Sequence, residues 1–144
     1  MDDQESWRKV KLGDVTETSR SRVDPQEFQE LPYIGLKHVE KESMNLLGTA
    51  KGADYKSRCL KFESGDILYG RLRPYLNKLY IPDFDGLCSA EFITLTTSEN
   101  VNPEFLQYIL NSKDFVSFAD RESTGDRPRV KYSQISEYEF ALPP

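Results

Sequence analysis

The sequence predicts an α+β domain, a single compact unit with a mixed or antiparallel β-sheet and a few short helices. Three observations predict this class. Short apolar, aromatic and β-branched runs separated by turn residues occupy residues 7–97. Helix-capping patterns appear after residue 101, and an alternating apolar segment at 139–142 closes the chain. The length of 144 residues suits one domain, which we expect at residues 7–144 after a disordered N-terminus at 1–6.

Extended structure is predicted for most of the first hundred residues. The strands expected from alternation and from β-branched content are 7–11, 31–39, 66–71, 78–81 and 87–96. A brief helical turn is expected at 12–15. Polar loops are expected at 19–24 and at 42–57, the second of them mobile because it is polar and contains two glycines. Pro74 interrupts extended structure because proline cannot donate to a strand ladder.

Two helices are predicted in the last third of the chain. Asn102 suits an N-cap and Pro103 the first helical position. Apolar residues at 106, 109 and 110 then share one helix face. Ser112 suits the cap of a second helix that runs through residue 119. A loop at 123–129, a helical turn at 133–136 and a closing strand at 139–142 complete the prediction.

Charge is distributed unevenly along the chain. The net charge is -5, which by itself disfavours nucleic-acid binding. Residues 51–78 carry seven basic and three acidic side chains, a net charge of +4. Residues 121–131 carry four basic and two acidic side chains, a net charge of +2. Two basic segments on an acidic body predict either one positive face or two solvated loops.

The sequence offers little that supports catalysis. His38 is the single histidine, and Cys59 and Cys88 do not form a metal-binding pair by spacing. The sequence has no phosphate-binding glycine motif of the P-loop or dinucleotide type. It also has no apolar run of membrane-spanning length and no secretory signal. These features predict a soluble cytoplasmic protein with reduced thiols, without catalytic residues or a bound metal.

One pattern resembles the paired carboxylates of a metal-dependent nuclease. Asp83 or Asp85, followed by Glu91 on a predicted strand, has the right residue types for such a site. Such sites usually carry a lysine two residues after the second carboxylate, but here Ile93 occupies that position. We therefore favour a turn with two solvated aspartates, and a nuclease is the weakest alternative.

The two basic segments have the residue types that bind DNA. Arginine can pair with guanine through two hydrogen bonds, asparagine can do the same with adenine, and lysine neutralises phosphate. Arg71 and Arg73 lie two residues apart, so on an extended segment their side chains point the same way. In the alternative interpretation, the arginines pair with nearby acids such as Asp66, Asp120 and Asp126. The candidate DNA-binding residues are Lys51, Lys56, Arg58, Arg71, Arg73, Tyr75, Asn77, Lys78, Arg127, Arg129 and Lys131.

The chain resembles the target recognition domain of type I restriction–modification specificity subunits. The resemblance depends on the order and spacing of several short pieces rather than on any one of them. These pieces are residues 7–15 (WRKVKLGDV), 33–36 (YIGL), 62–71 (FESGDILYGR), 88–93 (CSAEFI), 105–110 (FLQYIL) and 140–144 (FALPP).

The resemblance implies a reader of double-stranded DNA without catalysis of its own. A specificity subunit usually holds two such domains joined by long spacer helices, and each domain reads half of a split target. The subunit docks modification subunits, which bind S-adenosylmethionine and methylate adenine, and a restriction subunit, a motor nuclease that uses ATP and magnesium. In the family the double proline precedes the spacer helix. We therefore expect one recognition domain without the spacer, and cofactors on partner subunits only.

The base-reading residues cannot be transferred by motif, because target sequences differ among members. The choices above depend on side-chain chemistry, with Lys51, Lys56 and Arg58 as phosphate contacts. Two alternatives to this function stay open. One is a recognition domain of a fused type II methyltransferase–nuclease (type IIG or IIB-like), and the other is an acidic protein-interaction module that acts as a decoy.

Overall fold

The computed structural model describes residues 7–144, and within them eleven strands and four short α-helices give the predicted α+β class. The prediction for residues 1–6 lies outside this range. The helices are α1 (Leu12–Val15), α2 (Pro103–Leu110), α3 (Lys113–Glu122) and α4 (Tyr132–Ile135). The strands are β1 (Arg8–Lys11), β2 (Thr16–Thr18), β3 (Arg22–Val23), β4 (Pro32–Ile34), β5 (Ala50–Lys51), β6 (Cys59–Phe62), β7 (Ile67–Gly70), β8 (Leu79–Tyr80), β9 (Gly86–Cys88), β10 (Phe92–Thr97) and β11 (Glu139–Leu142).

The strands of the described range form three sheets. Strands β1 and β11 pair antiparallel and bring the two ends of this range together, with Arg8 opposite Leu142. A four-stranded antiparallel sheet has the order β2-β10-β7-β8. A five-stranded sheet has the order β3-β6-β9-β4-β5 and is mixed, because β4 and β9 run parallel. Mixed and antiparallel pairing was predicted, but three separate sheets were not.

Two predicted strands were too long. The strand expected at 31–39 ends at Ile34, and a 3-10 turn, Leu36–His38, follows it. The His38 ring closes this turn, because its Nδ1 accepts a hydrogen bond from the Gly35 N–H at 2.8 Å. The strand expected at 87–96 is divided between β9 and β10, which belong to different sheets. A turn separates them, in which the Ser89 hydroxyl accepts a hydrogen bond from the Glu91 N–H at 3.0 Å.

The segment predicted as a mobile loop at 42–57 contains regular structure. It holds β5 and a 3-10 turn, Gly52–Asp54. Gly52 is buried, and a Cβ atom there would lie 2.3 Å from the carbonyl oxygen of Phe28. Only a residue without a side chain fits this contact, so the glycine serves close packing. The loop predicted at 19–24 likewise contains β3, and β6 was not predicted at all.

Both predicted helix starts are confirmed. The Asn102 side chain accepts a hydrogen bond from the Glu104 N–H at 2.8 Å and begins α2. The Ser112 hydroxyl accepts from the Phe115 N–H at 3.2 Å and begins α3, which runs three residues further than predicted. With ten residues α3 is the longest helix between residues 7 and 144, where none is long and apolar enough to cross a membrane.

The main hydrophobic core lies between the four-stranded sheet and helices α2 and α3. Tyr69 and Phe115 are almost fully buried, and their rings meet edge to face with centroids 5.7 Å apart. Burying side chains of this size stabilises the fold by roughly 1.5–3 kcal/mol each. A second cluster around Ile34, Leu68 and Phe92 connects the four-stranded sheet to the five-stranded sheet. This packing fixes the ends of β7 and β10, from which the candidate site extends.

Candidate nucleic-acid interface

The two basic segments of the sequence lie side by side. The Arg73 N–H donates to the Pro128 carbonyl at 2.7 Å, and the Val130 N–H donates to the Arg71 carbonyl at 3.1 Å. Leu72 and Arg129 form an antiparallel bridge between these two bonds. The segment after β7 and the segment before α4 are therefore one local structure, although about sixty residues of chain separate them.

A carboxylate lies between the two segments. Strands β7 and β10 pair with Gly70 opposite Phe92, so the next residues outward, Arg71 and Glu91, are neighbours. The Arg129 Nε lies 3.0 Å from both Glu91 oxygens, and its Nη2 lies 2.6 Å from Oε2. The Arg71 Nε lies 3.7 Å from Glu91 Oε1, which is an ion pair but too long for a hydrogen bond. Hydrogen bonds from Arg129 hold the pKa of Glu91 below its usual value, against the opposing effect of burial.

Beside this cluster lies a positively charged cleft with a volume of about 520 Å³. Four cations line it, and the described lining residues include no carboxylate. Hydroxyl-bearing and apolar side chains complete the walls, among them Ser19, Ser133 and Phe92. Because four like charges share a small space, the cleft favours an anionic ligand. The four cations are Arg20, Arg22, Arg71 and Lys131.

Hydrogen bonds tie the walls of the cleft together. The Tyr132 hydroxyl lies 2.9 Å from the Thr16 hydroxyl and donates to the Thr16 carbonyl at 3.0 Å. These bonds hold the start of α4 against β2. The guanidinium of Arg58, the residue before β6, donates to the Arg22 carbonyl at 2.9 Å and supports β3, which pairs with β6. The cleft is thus a feature of connected elements rather than of loose side chains.

A tight loop projects next to the cleft. Arg73 and Asn77 both have left-handed backbones, with φ of 51° and 50°, and flank a 3-10 turn, Pro74–Leu76. Residues other than glycine rarely adopt this conformation unless their surroundings hold it in place. Pro74 is buried, whereas Tyr75 at its tip is 49% exposed. The prediction that Arg71 and Arg73 share a direction on an extended segment was wrong, because the backbone turns at Arg73.

Asn77 and Lys78 help to anchor this loop. The Asn77 side chain is buried, and its amide donates to the Asn111 side chain at 2.7 Å. The Lys78 ammonium donates to the Leu36 carbonyl at 2.8 Å, and partial burial lowers its pKa. Both side chains were predicted to contact DNA. The structure engages the Asn77 amide and one Lys78 donor beneath the loop, so fewer of their donors are left for DNA, and their contact with DNA stays a prediction.

The remaining predicted residues fall into two groups. Lys131 lines the cleft, Arg127 is exposed and acts electrostatically on Glu91, and Arg58 is exposed and binds the Arg22 carbonyl on β3. Lys51 lies on β5, at the opposite edge of the five-stranded sheet from β3, and Lys56 follows it in an exposed loop. Four strand spacings separate the two edges, a distance of roughly 19 Å. Lys51 therefore does not join the cleft.

The comparison with known families settles which family the fold represents. The model of the type I restriction modification DNA specificity domain matches residues 4–144. The chain belongs to this family. The match covers nearly the whole chain, so the resemblance of the short sequence pieces is confirmed. Membership does not favour the two alternatives, a fused type II enzyme and a decoy module.

Individual relatives agree with the family assignment. The type I restriction enzyme EcoDI specificity subunit from Escherichia coli is 24% identical over 96% of this chain and 32% of its own length. A solved chain from work on complex assembly and conformational transition of the type I R-M system superposes with a TM-score of 0.81. It shares 25% identity and covers 96% of this chain and 38% of its own. The HsdS subunit from Thermoanaerobacter tengcongensis has a TM-score of 0.76 and 26% identity, over 96% and 38% of the two chains. This specificity domain thus spans about a third of the length of these relatives.

Two carboxylates of the nuclease pattern, Asp85 and Glu91, make contacts within the specificity domain. The Asp85 carboxylate accepts a hydrogen bond from the Ser64 N–H at 2.9 Å, while that of Glu91 binds Arg129. Within residues 7–144, no group of three or more His, Cys, Asp or Glu side chains is placed to hold a metal ion. Cys59 and Cys88 are free and buried, and burial raises the pKa of both thiols.

Sequence reasoning missed three residues of the cleft region. Arg20 and Arg22 were assigned to a polar loop, although they alternate with serines in a Ser-Arg-Ser-Arg run. Arginine and serine side chains both bind phosphate oxygens, and their alternation was the available signal. Glu91 was considered only as a metal ligand. Its pairing with two arginines depends on contacts 20 and 38 residues away in the sequence, which no local pattern shows.

Proposed function

We propose that this domain binds double-stranded DNA on the surface around its basic cleft and reads part of a target sequence for a type I restriction–modification system. The observation that carries the proposal is the convergence of Arg20, Arg22, Arg71 and Lys131 on one cleft. They come from three separate parts of a chain whose net charge is -5. Four cations gathered on an acidic body favour a polyanion, and membership of the specificity family favours DNA as that polyanion.

The cleft and the neighbouring loop have different tasks in this proposal. Arg20, Arg22 and Lys131 contact the phosphate backbone and set the register of the duplex. Arg71, Arg73 and Arg127 face base edges, where arginine prefers guanine. Tyr75 supplies an aromatic surface for apolar contact with a base or a thymine methyl group. Because the buried Pro74 and Asn77 fix the loop, its exposed side chains are held in position before DNA arrives.

The catalytic steps belong to other subunits in this proposal. The domain itself is non-catalytic and directs adenine methylation and DNA cleavage by modification and restriction subunits. S-adenosylmethionine, ATP and magnesium act on those partners. A second recognition domain, joined through a spacer helix, reads the other half of a split target. Two tethered sites give the assembly more affinity than either site alone, so this domain by itself should bind weakly.

Selection from a randomised duplex pool tests the proposal. The 144-residue chain is incubated with 20-base-pair duplexes randomised at their centre, and the bound fraction is sequenced over successive rounds. We expect a short enriched motif, and we expect Arg73→Ala to relax one position of it and weaken binding to the best duplex roughly tenfold. Lys51→Ala, at the far sheet edge, is the control and should leave the motif unchanged. A wild-type chain that enriches no sequence contradicts the proposal.

A further inference from the structure

The negatively charged carboxylate of Glu91 lies at the edge of a cleft that is lined by four cations. It is about a quarter exposed and binds Arg129 through three short contacts and Arg71 through an ion pair. Two guanidinium groups and one carboxylate leave a local net charge of +1. A site that only bound phosphate would bind it more tightly without this carboxylate, because Glu91 repels the ligand and neutralises one of the arginines. Its presence therefore requires another explanation.

The backbone around Glu91 is fixed, which makes its carboxylate a rigid reference point. The Glu91 N–H donates to the Ser89 hydroxyl at 3.0 Å, and the Glu91 carbonyl accepts from the Arg71 N–H at 2.9 Å. Phe92, the next residue, is 1% exposed and begins β10. A side chain attached to so constrained a backbone can hold its partners in one orientation. Long arginine side chains otherwise lose considerable rotamer entropy when they are ordered at an interface.

The two arginines use different edges in this cluster. Arg129 commits its Nε and Nη2 to Glu91, and its Nη1 lies 3.4 Å from the Arg127 carbonyl. Arg71 approaches Glu91 with its Nε at 3.7 Å, and this buried nitrogen forms no hydrogen bond within residues 7–144. The terminal nitrogens of Arg71 have no such partner in that range, and Arg71 lines the cleft. Arg129 therefore supports the cluster, while Arg71 presents a guanidinium edge to the ligand.

We infer that Glu91 is a positioning residue that orients Arg71 and Arg129 at the cleft edge, so that the cleft discriminates one duplex sequence from another. The inference rests on the proposed function. The negative charge also disfavours a phosphate placed where a base edge belongs, which penalises binding in the wrong register. Glu91 thus lowers affinity for DNA in general and raises the ratio of target to random binding.

The test compares Glu91→Gln with the wild-type chain on two probes, a duplex enriched from the randomised pool and the unselected pool itself. Glutamine keeps the shape and one acceptor oxygen but removes the charge. Binding to the random pool should strengthen severalfold, and the ratio of selected to random affinity should fall about tenfold. Glu99→Gln makes the same charge change beyond the opposite end of β10 and should leave the ratio unchanged. Thermal unfolding of each variant shows whether it folds.

The outcomes separate this inference from the proposed function. If the wild-type chain enriches no sequence, the proposed function fails and the inference fails with it. If the wild type enriches a sequence and a folded Glu91→Gln chain keeps the wild-type ratio, only the inference fails. Equal weakening on both probes would show a purely structural role and would also overturn it. If Glu91→Gln does not fold, Arg129→Lys replaces it in the test. Lysine keeps the positive charge but cannot bind the Glu91 carboxylate through two nitrogens, so the ratio of selected to random affinity should again fall.

Discussion

Neutralising the three cleft cations that do not pair with Glu91 is expected to weaken DNA binding and flatten its salt dependence. The changes are Arg20→Gln, Arg22→Gln and Lys131→Gln in one chain. All three side chains are exposed, so the substitutions leave the core intact. Arg71 is retained because its ion pair with Glu91 would complicate the charge count.

The magnitude follows from the number of contacts. Each phosphate contact releases counterions and contributes about 0.9 to the slope of log affinity against log salt, so three contacts contribute about 2.7. Relative to roughly 1 M salt, where the logarithm of the salt concentration is zero, each contact raises the affinity about eightfold at roughly 0.1 M salt. The three contacts together raise it about 500-fold, which corresponds to about 3.7 kcal/mol. These figures assume that every cation meets a phosphate, so they are upper bounds for the combined change.

Fluorescence anisotropy with a labelled duplex, over salt concentrations of about 50 to 200 mM, measures both quantities, because phosphate contacts dominate the salt response in this range. A control chain carries Lys9→Gln, Lys41→Gln and Lys113→Gln, three exposed lysines that do not line the cleft. It has the same net charge as the test chain. Equal slopes for the two variants would refute the reasoning, because overall charge rather than the cleft would then determine binding.

Two further predictions concern the fold that supports the site. Gly52→Ala should lower the free energy of unfolding in urea by about 1–3 kcal/mol, because the new Cβ would press on backbone oxygens of Phe28 and Pro25; an unchanged midpoint would contradict the close approach. Burial lowers the pKa of His38 below 6.5, and its Nδ1 accepts a hydrogen bond only when the ring is neutral. The unfolded chain therefore binds the proton more readily, so this stabilisation is present above pH 6.5 and is lost as the pH falls through the folded pKa. Urea midpoints measured from pH 7.5 downward should fall more steeply for the wild type than for His38→Asn, and parallel curves would contradict this.

Local signals predicted those parts of the fold that local chemistry determines. Asn102 and Ser112 begin helices because their side chains accept hydrogen bonds from backbone donors two or three residues ahead. That requirement is visible in any short stretch of sequence. The strand at 66–71 was recognised for a similar reason, since a glycine turn precedes a continuous apolar run that is buried throughout. These predictions needed no knowledge of the rest of the chain.

The division into sheets depends on contacts that are distant in sequence. Residues 87–96 look like one strand because no proline or glycine interrupts them after Gly86. The break occurs at Ser89, whose N–H donates to the Ile34 carbonyl at 3.0 Å while its hydroxyl accepts from Glu91. The two-residue strand β3 exists only because β6 pairs with it. Such short strands have too little apolar pattern to be found alone.

The same distinction explains which site residues were found. Arg71 and Arg73 were predicted because cations, aromatic residues and an amide cluster around them, and Lys131 because hydroxyls, a glycine and spaced arginines precede it. Asn77 was chosen for its amide, but a partner 34 residues away, Asn111, uses that amide inside the protein. Side-chain chemistry thus identified the segments that form the candidate site, while only the fold could show which side chains within them remain available.

The acidic body and the basic cleft are compatible because they act at different distances. A net charge of -5 repels DNA, but at physiological salt charges separated by more than about 8 Å are largely screened. A duplex that only approaches the surface therefore meets weak repulsion and no compensating attraction. A duplex whose backbone lies against the cleft meets the four cations gathered at its walls. Attraction then depends on close fit, so non-target DNA that cannot seat fully should dissociate quickly. The negative charge of the whole domain and the single charge of Glu91 therefore act in the same way. Each lowers the affinity for DNA in general, so the affinity for the target depends on the contacts that a correctly placed duplex makes.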